Sequence, residues 1–168
     1  MNNPEYAKKR FESREKEQAQ KIVMSLLILC ALIMLALSGF NYRYHWTTVP
    51  TPVVFIFSLI IIGGFIMLFF VMKKNIFTSR VIEIQEDQEV IDTGLYSIVR
   101  HPMYLAFSVI FFFSPVILGS LYSLIPAVCI LILLTFRIRN EEKVLKNELK
   151  GYFEYIKKVK YRLIPFIW

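Results

Sequence analysis

Residues 102–136 read PMYLAFSVIFFFSPVILGSLYSLIPAVCILILLTF, 35 consecutive positions without a charge. As one helix the run would be about 52 Å long, far more than the hydrocarbon thickness of a bilayer. Gly119-Ser120 near its middle divides it. It therefore predicts a hairpin of two short helices, 103–118 and 121–136, each slightly short of a full span and so tilted or incompletely crossing. Pro115 and Pro126 are placed to kink them.

Working outward, two further apolar runs precede the hairpin. Residues 22–40 (IVMSLLILCALIMLALSGF) are uncharged and as a helix reach about 28 Å, one membrane crossing. Tyr42 to Trp46 reads as an interfacial aromatic belt, with His45 at headgroup level. Residues 52–72 form a second span, in which Gly63-Gly64 permits close helix approach and Lys73-Lys74 anchors the end. Residues 1–21 mix Lys and Arg with Glu, as a surface helix or arm lying on the membrane. Residues 73–101 are the one long interior polar segment. Within it, Val81 to Ile84 alternates like a short extended piece, Gln85 to Gln88 is acidic, and Asp92-Thr93-Gly94 signals a turn.

The expected architecture is thus all-α and integral to a membrane, with about four transmembrane helices. It divides into an arm (1–21), two spans (22–72) and a ligand-binding region (73–168). Charged residues are 20% of the 168 and gather in blocks, the pattern of a membrane protein and not of a soluble core. Lys and Arg number six in the arm, one in the 41–51 loop, four in 73–101 and nine after residue 136. That asymmetry places both termini and the 73–101 loop in the cytosol. The net charge of +7 flanks apolar spans, so the expected partner is membrane lipid and not nucleic acid. The first apolar run follows a charged stretch and lacks a small-residue cleavage site, so it reads as a retained span. Cys30 and Cys129 fall inside apolar runs and read as small buried hydrophobes, and no Cys/His spacing suggests a metal.

The hairpin begins in Gly94-Leu95-Tyr96-Ser97-Ile98-Val99-Arg100-His101-Pro102-Met103-Tyr104. Pro102 suits the first position of a helix, where its missing N–H loses nothing. Arg100 and His101 then sit at a helix mouth, beside unpaired N–H groups and partial positive charge. Taken alone, Arg100 is a membrane anchor and His101-Pro102 a helix start. A second cluster shifts that reading. Residues 137–160 predict an amphipathic cytosolic helix with Ile138, Leu145, Leu149, Tyr152 and Ile156 in one stripe. Glu141 and Glu142 lie within roughly 60° of that stripe, and Arg137 precedes Glu141 by an ion-pair spacing. Two inward carboxylates on the membrane face of Arg100 and His101 favour a shared polar site. Arg162 to Trp168 is a basic-aromatic end able to dock back on it.

Together, Gly94-x-Tyr96-x-x-Val99-Arg100-His101-Pro102-x-Tyr104, Arg137, Glu141-Glu142, Tyr152-x-x-Tyr155 and Arg162-Leu163-Ile164-Pro165 resemble the isoprenylcysteine carboxyl methyltransferase family and the small membrane methyltransferases around it. The resemblance covers roughly residues 80–168. Leu95 stands where a Pro is common, and Glu148 to Gly151 replaces a Phe-Gly segment with an apparent one-residue shift. The resemblance implies S-adenosylmethionine as methyl donor. It implies a cofactor site lined by Tyr96, Arg100, His101, Tyr104, Glu141 and Glu142, and catalytic roles for Arg137, His101 and Glu141, with Arg137 between donor and acceptor. The implied acceptor is a lipophilic or prenylated molecule, a prenylcysteine-like carboxylate or a lipid amine, entering from the bilayer. Rival readings are a membrane reductase-like binder of nicotinamide and a non-enzymatic scaffold.

Overall fold

The computed structural model describes residues 4–75 and 90–168, with side chains described from Gln18 onward. Its helices are α1 (Pro4–Tyr44), α2 (Thr51–Lys74), α3 (Pro102–Ile117), α4 (Leu124–Glu148) and α5 (Tyr152–Lys158), with a 3₁₀ turn at Gly94–Ser97. The main contacts run α2–α3–α4–α1, with α5 against α4. The arm and the first apolar run share one continuous 41-residue helix. Among the described residues, two stretches, Gln18–Tyr44 and Thr51–Lys74, are long and apolar enough to cross a membrane. The alternating piece at Val81 to Ile84 and the acidic Gln85 to Gln88 lie outside the described residues.

The uncharged run folds as the expected hairpin. α3 opens with Pro102 as its first residue and closes at Ile117, and α4 starts at Leu124. The end of α1 holds the turn between them. Asn41 Nδ2 and Thr47 Oγ1 both donate to the Gly119 carbonyl, at 2.9 and 3.0 Å. The Ser38 and Ser123 hydroxyls meet at 2.9 Å, both buried. In an apolar bundle such polar contacts fix register, because an unmet hydroxyl there is costly.

α2 packs closely on α3 through Gly64. A Cβ there would stand 3.1 Å from Ile110 Cγ1 and 3.3 Å from Val109 Cγ1, while Gly63 has open space. Gly64→Leu is therefore expected to destabilise the protein by about 1–3 kcal/mol through overpacking. A lower thermal midpoint in detergent than that of Gly63→Leu would show it. Equal midpoints would mean the helices do not meet there.

The C-terminal third departs from expectation. In place of one helix over 137–160, α4 carries its charged residues to Glu148 and the chain then breaks before α5. Gly151 takes φ +84°, a conformation that L side chains rarely adopt. The break lets Leu149, Tyr152, Tyr155 and Val159 gather into a small core of their own. Cys30 is half-buried, but Cys129 is exposed on α4, not buried as expected.

Candidate active site

His101 caps α3, and the chain after α5 runs beside it. The Arg100 N–H donates to the Tyr161 carbonyl and the His101 N–H to the Arg162 carbonyl, both at 2.9 Å. These two backbone bonds bring the Arg-His-Pro stretch and the C-terminal segment together.

Glu142 is the hub of the first side-chain group and is 3% exposed. Arg100 Nε donates to its Oε1 at 2.7 Å and Arg162 Nε to its Oε2 at 2.9 Å. A terminal nitrogen of Arg100 also donates to the Val159 and Lys160 carbonyls, at 2.9 and 2.8 Å. Burial opposes ionisation of Glu142, but His101, Arg162 and Arg100 outweigh it and hold the carboxyl well below the usual range. Charge-assisted bonds of this kind are strong and directional. Arg100 is thereby committed to tying α4 to the C-terminal segment.

The second group is a chain of hydrogen bonds. Arg137 Nε donates to the Tyr104 hydroxyl at 2.9 Å, and that hydroxyl donates to Glu141 Oε2 at 2.6 Å. Arg137, four residues before Glu141, thus reaches it through Tyr104. A further nitrogen of Arg137 donates to Gln20 Oε1 of α1 at 3.3 Å. Glu141 is the more open acid, its side chain 25% exposed.

His101 stands between the groups. Its Nδ1 is 3.8 Å from Glu141 Oε1 and its Nε2 is 3.5 Å from Glu142 Oε1. Both distances exceed those of a well-formed hydrogen bond. Among the described residues, His101 Nε2 and the Tyr152 hydroxyl are buried without a hydrogen-bond partner. Burial, then the charge of Glu142, pushes the Tyr152 phenol well above its ordinary value. A buried polar atom left unmet costs about 1–3 kcal/mol, so a ligand offering polar atoms gains affinity at these two points.

Tyr96 faces elsewhere. Its hydroxyl accepts from Asn75 Nδ2 at 2.9 Å, and its carbonyl accepts from the Tyr155 hydroxyl at 2.7 Å. With Leu95 it borders a cavity of about 600 Å³ against α2, walled by Gly63, Ile66, Met67 and Phe70 with Lys74 at one end. The structure thus brings Arg100, His101, Tyr104, Arg137, Glu141 and Glu142 into one cluster and sets Tyr96 on the wall of this second space. Sequence reading gave Arg162 as part of an end able to dock on the site and Tyr152 as a stripe and motif position, assigned neither a role in the site, and left Gln20 off it. Arg162 lies 20 residues from Glu142 and Gln20 117 from Arg137, separations with no local signal. The stripe position of Tyr152 announced burial but not an unmet hydroxyl.

The model of the isoprenylcysteine carboxyl methyltransferase family matches residues 53–147, a range that holds most of α2, all of α3, most of α4 and both carboxylates. No curated protein sequence matches the chain.

Proposed function

The chain belongs to the isoprenylcysteine carboxyl methyltransferase family and is a membrane methyltransferase, and from that premise we propose that it methylates a lipophilic acceptor with S-adenosylmethionine as donor. The acceptor class is a prenylcysteine-like carboxylate or a lipid amine. The observation that carries the reading is a pair of buried polar atoms unmet among the described residues: His101 Nε2, in the cluster that holds two carboxylates, and the Tyr152 hydroxyl of the adjoining small core, which feels the charge of both.

These groups fit the donor, which carries an ammonium, a carboxylate and ribose hydroxyls. Carboxylates receive the ammonium and hydroxyls, and Arg or His receives the carboxylate. When bound, S-adenosylmethionine supplies a methyl group on a positive sulfur, open to in-line displacement. Glu141, partly open, and His101 are the residues proposed to touch it, with Tyr104 holding Glu141 in place. Arg100 and Glu142, whose polar atoms engage one another and the C-terminal segment, set the shape of that pocket. Arg137, behind Tyr104, orients the acceptor. Burial of the cluster limits water, and fixed orientation supplies much of the acceleration. A carboxylate acceptor needs no base. An amine would lose a proton, for which His101 and Glu141 are in place. The apolar cavity bordered by Tyr96 and Lys74 suits the acceptor's tail.

In this reading α3 and the apolar part of α4 are two further, short crossings, and α5 is the amphipathic cytosolic element. Both termini and the site lie on the cytosolic side, as the Lys and Arg distribution favours.

Calorimetric titration of S-adenosylmethionine and its demethylated product into detergent-purified protein tests the donor. Saturable binding is expected from the unmodified chain, and its loss in His101→Ala and Glu141→Ala with the thermal midpoint retained. Unchanged affinity in both variants overturns the site. Binding of a nicotinamide cofactor instead overturns the donor.

A further inference from the structure

The last seven residues form a closed turn with two unlike sides. The Trp168 main-chain oxygen accepts N–H bonds from Arg162, Leu163 and Ile164, at 2.9, 2.9 and 3.2 Å. One side of the turn faces the protein. Leu163 is buried with Tyr104, Ile130, Leu134 and Ile138, and Trp168 packs against that cluster. The Arg162 guanidinium lies 5.4 Å from the Trp168 ring while its Nε bonds Glu142.

The other side is apolar and open among the described residues, with the Tyr161 ring at the base of Phe166, 5.2 Å between ring centres. Phe166 is 87% exposed and Ile167 77% exposed, with Ile164 beside them at 41%. Phe166 also holds φ +66°. A bulky residue in that region is strained, and strain persists only where the surroundings impose it. Here the closed turn imposes it, and the result is an aromatic ring displayed outward.

The height of this tip relative to the apolar belt is fixed by its neighbours. Arg137 of α4 meets Gln20 of α1, and α1 becomes apolar two residues later, at Ile22. Leu163 and Trp168 pack with Ile138 and Leu134 of α4 and with the cluster that includes Leu27 of α1. The tip is therefore level with the start of the lipid-facing band. Lys157, Lys158 and Lys160 precede it and are exposed. Exposed apolar residues beside cations, at the edge of an apolar belt, match the boundary between anionic headgroups and acyl chains.

We propose that Phe166 and Ile167 insert into the bilayer interface on the site's side of the membrane, so that lipid is the partner of the C-terminal turn. The turn then joins the membrane to the site, because the segment that displays Phe166 also holds Arg162 on Glu142. The proposal is independent of the donor and of the reaction.

The test places an environment-sensitive fluorophore at Phe166→Cys, and separately at Ile167→Cys and at the exposed α5 position Glu154→Cys, in the full chain with Cys30→Ser and Cys129→Ser. The proteins are studied in nanodiscs of phosphatidylcholine and phosphatidylglycerol. Blue-shifted emission at 166 or 167, lost when the lipids carry bromine near the headgroup, and water-like emission at 154, are expected. Water-like emission at both 166 and 167 overturns the proposal. So does blue-shifted emission that brominated lipid leaves intact, which would mean that protein covers the tip.

Discussion

Replacing Glu142 with Ala is expected to destabilise the protein by about 3–5 kcal/mol, the range for removing one partner of a buried ionic network. The carboxylate receives Arg100 at 2.7 Å and Arg162 at 2.9 Å and is itself 3% exposed. Without it, the buried Arg100 is left with the Val159 and Lys160 carbonyls among the described residues, and Arg162 loses its tie to α4. Glu142→Gln retains the shape but not the charge and should fall between Ala and the unmodified chain. Arg100→Met tests the same network from the other side. Since Glu142 and Arg100 touch, the double variant should be less destabilised than the sum of the two. The thermal midpoint in detergent is the readout, and additive losses would mean the network is not one unit. The pH dependence has a definite sign. Glu142 titrates below its ordinary value of 4.5, so it stabilises the folded chain above that pH, and the contribution is lost as pH falls from there toward the lower folded value. Glu142→Gln should flatten that acid limb.

How much of this was legible beforehand depends on sequence separation. The helix start at Pro102 could be read from one residue, because a proline at the first helical position carries its own reason. The hairpin could be read from length, because 35 uncharged residues do not fit one crossing. The inward turn of Glu142 followed from helical period. The break after Glu148 did not, because Leu149, Tyr152 and Ile156 fit one helical stripe while Gly151 needs a left-handed backbone that only the folded chain reveals. The division of labour between the two glutamates was hidden too. Adjacent in sequence, they differ because Arg100 and Arg162 arrive at Glu142 from 42 and 20 residues away, whereas Tyr104 reaches Glu141.

That division sets up the second large effect, at Arg137. Arg137→Lys should lower the rate of methyl transfer about 10²–10³-fold, as expected when one preorganised donor of the reacting centre is removed. Donor affinity should change little. Arg137 is 5% exposed and bonds the Tyr104 hydroxyl through Nε and Gln20 through a terminal nitrogen. A lysine keeps the charge but cannot present several N–H groups in one rigid plane, so it cannot hold Tyr104 and orient an acceptor together. Tyr104→Phe separates the two duties. It removes the hydroxyl that bridges Arg137 to Glu141, so it should weaken donor binding through Glu141 more than Arg137→Lys does. Single-turnover methylation of a prenylcysteine analogue, set beside calorimetric affinity for the demethylated donor, resolves rate from binding. If Arg137→Lys lost affinity and rate in equal measure, Arg137 would belong to the donor pocket, and the acceptor would have to be oriented from the cavity side, where Tyr96 and Lys74 stand.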